Sequence, residues 1–160
     1  MKYKLKHMAL FGAFLSLFAF TPTAGASSLH VAGYDHRALM ADPAKAEGPI
    51  APMLAGIGGA HLPVNTQSEK AQYFFDQGLR LTYAFNHQEA LRSFKEAARN
   101  DPDCAMAYWG WALVLGPNLN LPMSPEVAPQ AYEAVQMALA RIDKVTVKER
   151  GYIEALAQRY

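Results

Sequence analysis

The feature that most constrains the fold of this chain is a pair of helical patterns that begins near residue 66 and recurs 34 residues further on. Aromatic and aliphatic residues follow helical spacing over 73–83 and again over 90–98. Asn86-His87 is a turn signal between the two runs, and Pro102 ends the second run because proline cannot continue a helix. The expected structural unit is therefore a hairpin of two α-helices.

Capping signals mark two of the expected helix starts. Thr66-x-x-Glu69 and Thr146-x-x-Glu149 both have the form of a capping box, in which a hydroxyl and a carboxylate satisfy free backbone N–H groups. Ser68 is an alternative cap for the first helix. We therefore expect the helical domain to cover residues 66–160.

This hairpin resembles the tetratricopeptide repeat (TPR), a helix-turn-helix unit of 34 residues. With Ala71 as position one of the repeat, rings, small residues and a proline fall at the signature places of the family. These signature residues are Phe74, Gly78, Ala90, Phe94, Ala97 and Pro102. Small residues let paired helices approach, and rings fill the space between them. The resemblance implies an all-α fold, an α-solenoid of TPR-like antiparallel helix-turn-helix repeats.

The repeat register continues along the chain with one interruption. Adding 34 to the positions of Phe74 and Gly78 gives Tyr108 and Ala112, which are again a ring and a small residue. The second helix of this unit begins later in the chain than the 34-residue register predicts, because residues 116–125 form a long non-helical insert rich in proline and asparagine. The expected repeat units cover about 71–104, 105–145 and, in part, 146–160.

Two short segments extend the resemblance. Residues 83–87 (YAFNH) and 101–106 (DPDCAM) are similar to segments in the N-terminal part of large exported bacterial TPR proteins of unsettled role. A solenoid needs a polar capping helix at its end, and Tyr160 closes a helix with no partner helix after it. We therefore expect the chain to be a fragment of a longer protein.

The first 26 residues predict a signal peptide. Three lysines precede a 13-residue apolar stretch that ends at Phe20, and Ala24-Gly25-Ala26 supplies the small residues that a signal peptidase reads. A spanning helix needs ~20 apolar residues, so a membrane anchor is the weaker interpretation. We expect cleavage after Ala26, a periplasmic or secreted protein, and no stable membrane anchor after cleavage.

Residues 27–65 are rich in glycine and proline and predict an irregular lead-in to the helices. A short helical turn is expected near 37–41. An extended stretch is expected over 61–64, because the residue before a proline avoids the helical conformation. We expect Leu62 and Val64 to pack on the first hairpin.

Charge and motif content argue against nucleic-acid binding and catalysis. Without the three lysines of the signal, 15 − 3 = 12 basic residues face 14 acidic ones, and no basic run remains. The sequence has no nucleophile elbow, P-loop or dinucleotide fingerprint. We therefore expect no enzyme activity and no cofactor. Cys104 lies in an apolar stretch, which predicts a small buried residue rather than a reactive thiol.

The resemblance to the TPR family implies a ligand groove lined by the first helix of each unit. The residues at the groove positions are Gln72, Phe75, Leu79, Thr82, Tyr83, Met106, Trp109 and Leu113. Rings with few charges suit recognition of a protein or peptide partner, so the leading hypothesis is a binding scaffold. The alternative, that later repeats or the lead-in cover these rings, stays open. Phe75 and Leu79 stand where some family members clamp a peptide carboxylate with Lys and Asn, so that clamp is not expected.

A second hypothesis is an envelope protein that binds a metal or a small ligand. His87 is expected at the same end of the helical stack as Asn118 and Asn120, and the three would form a polar patch. No pair of residues has H-x-x-x-H or C-x-x-C spacing, and His87 and Cys104 bracket one helix, too far apart to share a zinc ion. We therefore predict no native metal site, while the polar patch remains the alternative site.

Overall fold

The computed structural model describes residues 42–160, and this part of the chain is all-α, with no β-strand. The helices are α1 (Glu69–Tyr83), α2 (His87–Asn100), α3 (Ala105–Leu115), α4 (Ala128–Leu139) and α5 (Val147–Ala157). Short 3₁₀ helices cover Pro125–Val127 and Ile142–Lys144. The predicted all-α class is confirmed. The predicted signal peptide and the predicted turn at 37–41 lie outside the described residues.

Local capping sets where the helices begin. Ser68, the alternative cap, begins α1, because its hydroxyl accepts a hydrogen bond at 3.1 Å from the backbone N–H three residues further on. The Thr66 hydroxyl does not cap α1 but donates a hydrogen bond to the Asp101 carboxylate. Thr146 and Glu149 form the predicted capping box at the start of α5. The polar residues around each start therefore set the helix boundaries.

Each helix packs against the next along the chain, and the alternate helices α1 and α3, and α3 and α5, also touch. Helices α1, α3 and α5 therefore form one row, and α2 and α4 pack against it. The segment 116–124 is non-helical, as the sequence predicts. None of the helices in the described range is long and apolar enough to cross a membrane.

Phe94 of α2 fills the centre of the core. Its side chain is fully buried, and its ring lies 5.6 Å from the ring of Phe75 on α1. A Cβ atom at Gly78 of α1 would come within 2.7 Å of the Phe94 ring, and a Cβ atom at Gly110 of α3 would come closer still. The two glycines therefore let α1 and α3 approach the same ring, which the sequence predicts for Gly78 and misses for Gly110.

The remaining signature residues lie in the helix–helix contacts or at a helix end. Ala90 and Ala97 are fully buried on α2, and Phe74 is buried on α1. The Phe74 ring meets the Tyr73 ring edge-on at 5.6 Å. Pro102 follows the end of α2, so the chain turns there before α3 begins.

The extended lead-in runs along α1 and is held by its side chains. The Leu62 N–H donates to the Asp76 carboxylate at 3.1 Å. The Gln72 amide accepts from the Val64 N–H and donates to the Leu62 carbonyl, each at 3.0 Å. Leu62 and Val64 pack against the core, which confirms the expectation for these two residues.

Glu149 joins the lead-in to α5, and its removal is expected to destabilise the fold. This buried carboxylate accepts hydrogen bonds from the N–H groups of Asn65 at 2.6 Å and Thr146 at 2.8 Å. We expect Glu149→Ala to lower the free energy of unfolding by about 1–3 kcal/mol in urea denaturation, since both donors lose their acceptor. Glu154→Ala is the control, because Glu154 is exposed and its ion pair with Arg150 is long, at 3.9 Å. Equal losses in the two variants would contradict this role.

Candidate ligand-binding cavity

The predicted groove residues are divided between the core and the surface. Four of them are buried: Phe75, Leu79, Met106 and Trp109. Phe75 packs on Phe94, and the Trp109 indole N–H donates to the Tyr152 carbonyl at 3.0 Å. In the described part of the chain these four residues therefore belong to the core and leave no open wall for a ligand, which favours the alternative that the rings are covered.

The other four predicted groove residues are partly or largely exposed but do not form a wall. Gln72 is engaged by the lead-in, and the Thr82 hydroxyl donates to the Gly78 carbonyl at 2.7 Å. Leu113 is partly buried against the core, whereas Tyr83 is 70% exposed. The eight residues are therefore not gathered into one open groove in the described part of the chain.

A cavity of about 250 Å³ lies at one end of the helical stack, between the start of α2, the end of α3 and the loop after α3. Its walls are mostly apolar. The apolar side chains are those of Leu91, Val114, Leu115, Leu121, Pro122 and Val127, and the polar ones are those of His87, Gln88, Asn118, Ser124 and Gln130. Gly116 completes the lining, which contains no Asp, Glu, Lys or Arg. We call this space the end cavity.

The turn between α1 and α2 positions His87 in the wall of the end cavity. Phe85 has a left-handed backbone (φ 58°), an uncommon conformation for a bulky residue. Asn86 then caps α2, accepting a hydrogen bond from the Glu89 N–H at 3.4 Å. The His87 ring meets the Phe85 ring edge-on at 6.1 Å. Both His87 ring nitrogens are buried, with no hydrogen-bond partner among the described residues.

Asn118 shapes the loop after α3. Its side-chain oxygen accepts hydrogen bonds from the N–H groups of Asn120 and Leu121 at 2.9 and 3.1 Å. The resulting tight turn brings Leu121 into the cavity wall. Asn120 is exposed and does not line the cavity. Of the predicted polar patch, the structure therefore brings together His87 and Asn118 and leaves Asn120 outside.

Large apolar side chains are exposed at the same end of the stack. Tyr83 ends α1 and is 70% exposed, and Phe85 lies in the α1–α2 turn and is 56% exposed. Leu119 and Leu121 come from the loop after α3 and are 90% and 64% exposed. Exposed apolar groups that occur together mark interaction surfaces. We call these four residues the apolar end.

Two other cavities differ from the end cavity in charge. One, of about 490 Å³, is lined by polar residues that include Asp101, Asp103 and Lys144. Another, of about 450 Å³, is lined by residues that include Asp42, Lys95, Glu133 and Arg141. In the second, burial lowers the pKa of Lys95 to about 8, and its ammonium lies 4.4 Å from the centre of the Trp111 ring. The end cavity therefore contrasts with both in carrying no formal charge.

The described residues offer neither a cluster of metal ligands nor a reactive thiol. Residues 42–160 contain no group of three or more His, Cys, Asp or Glu side chains placed to hold a metal ion. Cys104 is fully buried, as predicted, and burial raises the pKa of its thiol to about 11. A thiol with so high a pKa stays protonated at neutral pH and is a poor nucleophile or metal ligand.

Comparisons of the chain with models of known protein families, with curated proteins and with solved structures found no match. The resemblance to the TPR family therefore depends on the sequence register and its signature residues. The function must be argued from the site itself.

Proposed function

We propose that the protein is an exported helical-repeat scaffold of the TPR type that binds a protein or peptide partner. The 34-residue register and the packing of successive and alternate helices support the repeat architecture. The contact of Gly78 and Gly110 with one ring supports it further. The lysine-rich start, short apolar stretch and A-x-A site support export to the periplasm or beyond.

The apolar end beside the end cavity is the observation that carries the binding proposal. Leu119 and Leu121 leave most of their side-chain surface in water. Fully burying one such side chain is worth about 1.5–3 kcal/mol, so a partner that covers both gains affinity from apolar contact alone. This surface replaces the predicted groove as the proposed contact region, since the groove rings of Phe75 and Trp109 are buried and the exposed Tyr83 belongs to the apolar end.

Binding of a small neutral ligand is a second candidate, and the end cavity is the observation that favours it. A cavity of about 250 Å³ lies just below the ~300–1,000 Å³ of most small-ligand sites. A metal ion is the weaker occupant, because no carboxylate or thiolate lines the cavity to balance its charge.

Selection from a displayed library of random peptides tests the binding proposal. We expect the wild-type protein to enrich peptides whose affinity falls about tenfold or more in Leu121→Asp, because a charge replaces an apolar contact. Val147→Asp is the matched control, since Val147 is 88% exposed at the start of α5, on the opposite end of the stack. Its affinity for the same peptides should be unchanged. No enrichment by the wild type, or equal losses in the two variants, would contradict the proposal.

A further inference from the structure

The size of the end cavity limits what part of a partner it holds. At about 250 Å³ it is below the range of most small-ligand sites, and an extended peptide would not fit inside it. One side chain inserted from a partner that lies across the apolar end is small enough to enter the cavity. Leu121 belongs to both the cavity wall and the apolar end, so the two features are continuous.

The chemistry of the walls limits which side chain can enter. Six of the twelve lining residues have apolar side chains, and they favour an apolar group that leaves water. A charged side chain or a terminal carboxylate would meet no oppositely charged residue in the lining, and burying it there would be unfavourable. The cavity therefore discriminates by charge, unlike the two cavities that are lined by acidic and basic residues.

The polar groups of the wall suit neutral amides. Gln88 and Asn118 each carry a carboxamide, a group that both donates and accepts hydrogen bonds. The Asn118 oxygen is already used twice within its own loop, which leaves its NH₂ group as the donor to a ligand. Peptide groups on either side of an inserted side chain have the matching carbonyls and N–H groups.

From these three properties we infer that the end cavity binds one uncharged, leucine-like side chain of the partner, with the flanking peptide groups hydrogen-bonded by the carboxamides of the wall. This inference rests on the proposed function and specifies its ligand. It identifies an anchor residue in the partner that is apolar, internal to the peptide and without a neighbouring free carboxylate.

A titration followed by amide NMR chemical shifts tests the inference with three small probes. The probes are N-acetyl-L-leucine amide, N-acetyl-L-leucine with its free carboxylate, and N-acetyl-L-lysine amide. We expect the first to shift the backbone signals of Leu91, Val114 and Leu121, with a dissociation constant on the order of millimolar for so small a ligand. The two charged probes should bind at least about tenfold more weakly.

Two variants locate the binding. Leu121→Asp introduces a charge into the cavity wall and should abolish the shifts caused by the neutral amide. Val147→Asp is the control, because Val147 is 88% exposed at the opposite end of the stack and does not line the cavity, so it should bind as the wild type does. The comparison among the three probes needs only the wild-type protein, so it holds even where a variant alters the loop.

The outcomes separate this inference from the proposed function. Binding of the charged probes as tight as that of the neutral amide would overturn the inference, as would the absence of shifts with the neutral amide. If selected peptides bind through Leu121 but carry a charged residue at the anchor position, the inference fails and the scaffold proposal stands. If the neutral amide binds and no peptide is selected, the scaffold proposal fails and the cavity remains a small-ligand site.

Discussion

Phe94→Ala is expected to lower the free energy of unfolding by about 3–5 kcal/mol, the usual loss when a buried phenylalanine is cut back to alanine. Phe94 is fully buried, packs on Phe75 and lies against both Gly78 and Gly110. Its removal would leave a void that three helices line, and close-packed helices relax only partly into such a void. Denaturation in guanidinium chloride, followed by circular dichroism, measures the change.

Phe85→Ala is the control for this prediction. Phe85 is 56% exposed in the α1–α2 turn, and we expect its replacement to change stability by far less. Similar losses in the two variants would mean that Phe94 does not hold the three helices together.

Gly78→Leu is the second large expected effect, with a loss of about 1–3 kcal/mol or more from overpacking. A Cβ atom at Gly78 already falls within 2.7 Å of the Phe94 ring, so a larger side chain must push α1 away from α2. Gly110→Leu should act in the same way, because a Cβ atom on α3 meets the same ring. Melting temperatures and denaturant midpoints report both losses.

Gly151→Leu is the matched control for the glycine substitutions. Gly151 lies within α5, and a Cβ atom there has no neighbour within 4 Å. Its replacement should stabilise slightly, since glycine is a poor helix former. Combining Gly78→Leu with Phe94→Ala should cost less than the sum of the single losses, because the ring that clashes is gone. Strict additivity would contradict direct contact.

The features of the fold that depend on local sequence were predictable. Asn86 and His87 mark the start of α2, and the capping box of Thr146 and Glu149 marks the start of α5, because capping involves residues only three apart. The repeat register predicts a small residue at Gly78. It does not predict one at Gly110, because the need for a small side chain there comes from a ring on another helix rather than from neighbouring residues in the sequence.

Contacts between distant parts of the chain could not be predicted from the pattern. The Asn65 N–H bonds to Glu149, which lies 84 residues away, so nothing local reveals that Glu149 is a buried acceptor. Phe75 falls at a groove position in the repeat register, but its ring turns to Phe94 in the core. Periodicity fixes which face of a helix a residue occupies, and only the packing partner decides whether that face is open.

The candidate site was predictable only in part. His87 and Asn118 were expected at one end of the stack because a turn and an insert both lie there, and they line one cavity. The sequence does not predict the apolar wall, because Leu121 lies in an irregular segment with no periodic signal. The long proline-rich insert was the available clue, since loops longer than their connection requires often carry function.

The most direct test of the central claim is a photo-crosslinking measurement in the native host, with the reactive amino acid p-benzoyl-phenylalanine in place of Leu121 or of Val147. We expect a discrete crosslinked adduct at Leu121, in the periplasmic or secreted fraction, and none at Val147. Equal labelling at the two positions, or no adduct at Leu121 while the protein is folded and exported, would contradict a binding role for the apolar end.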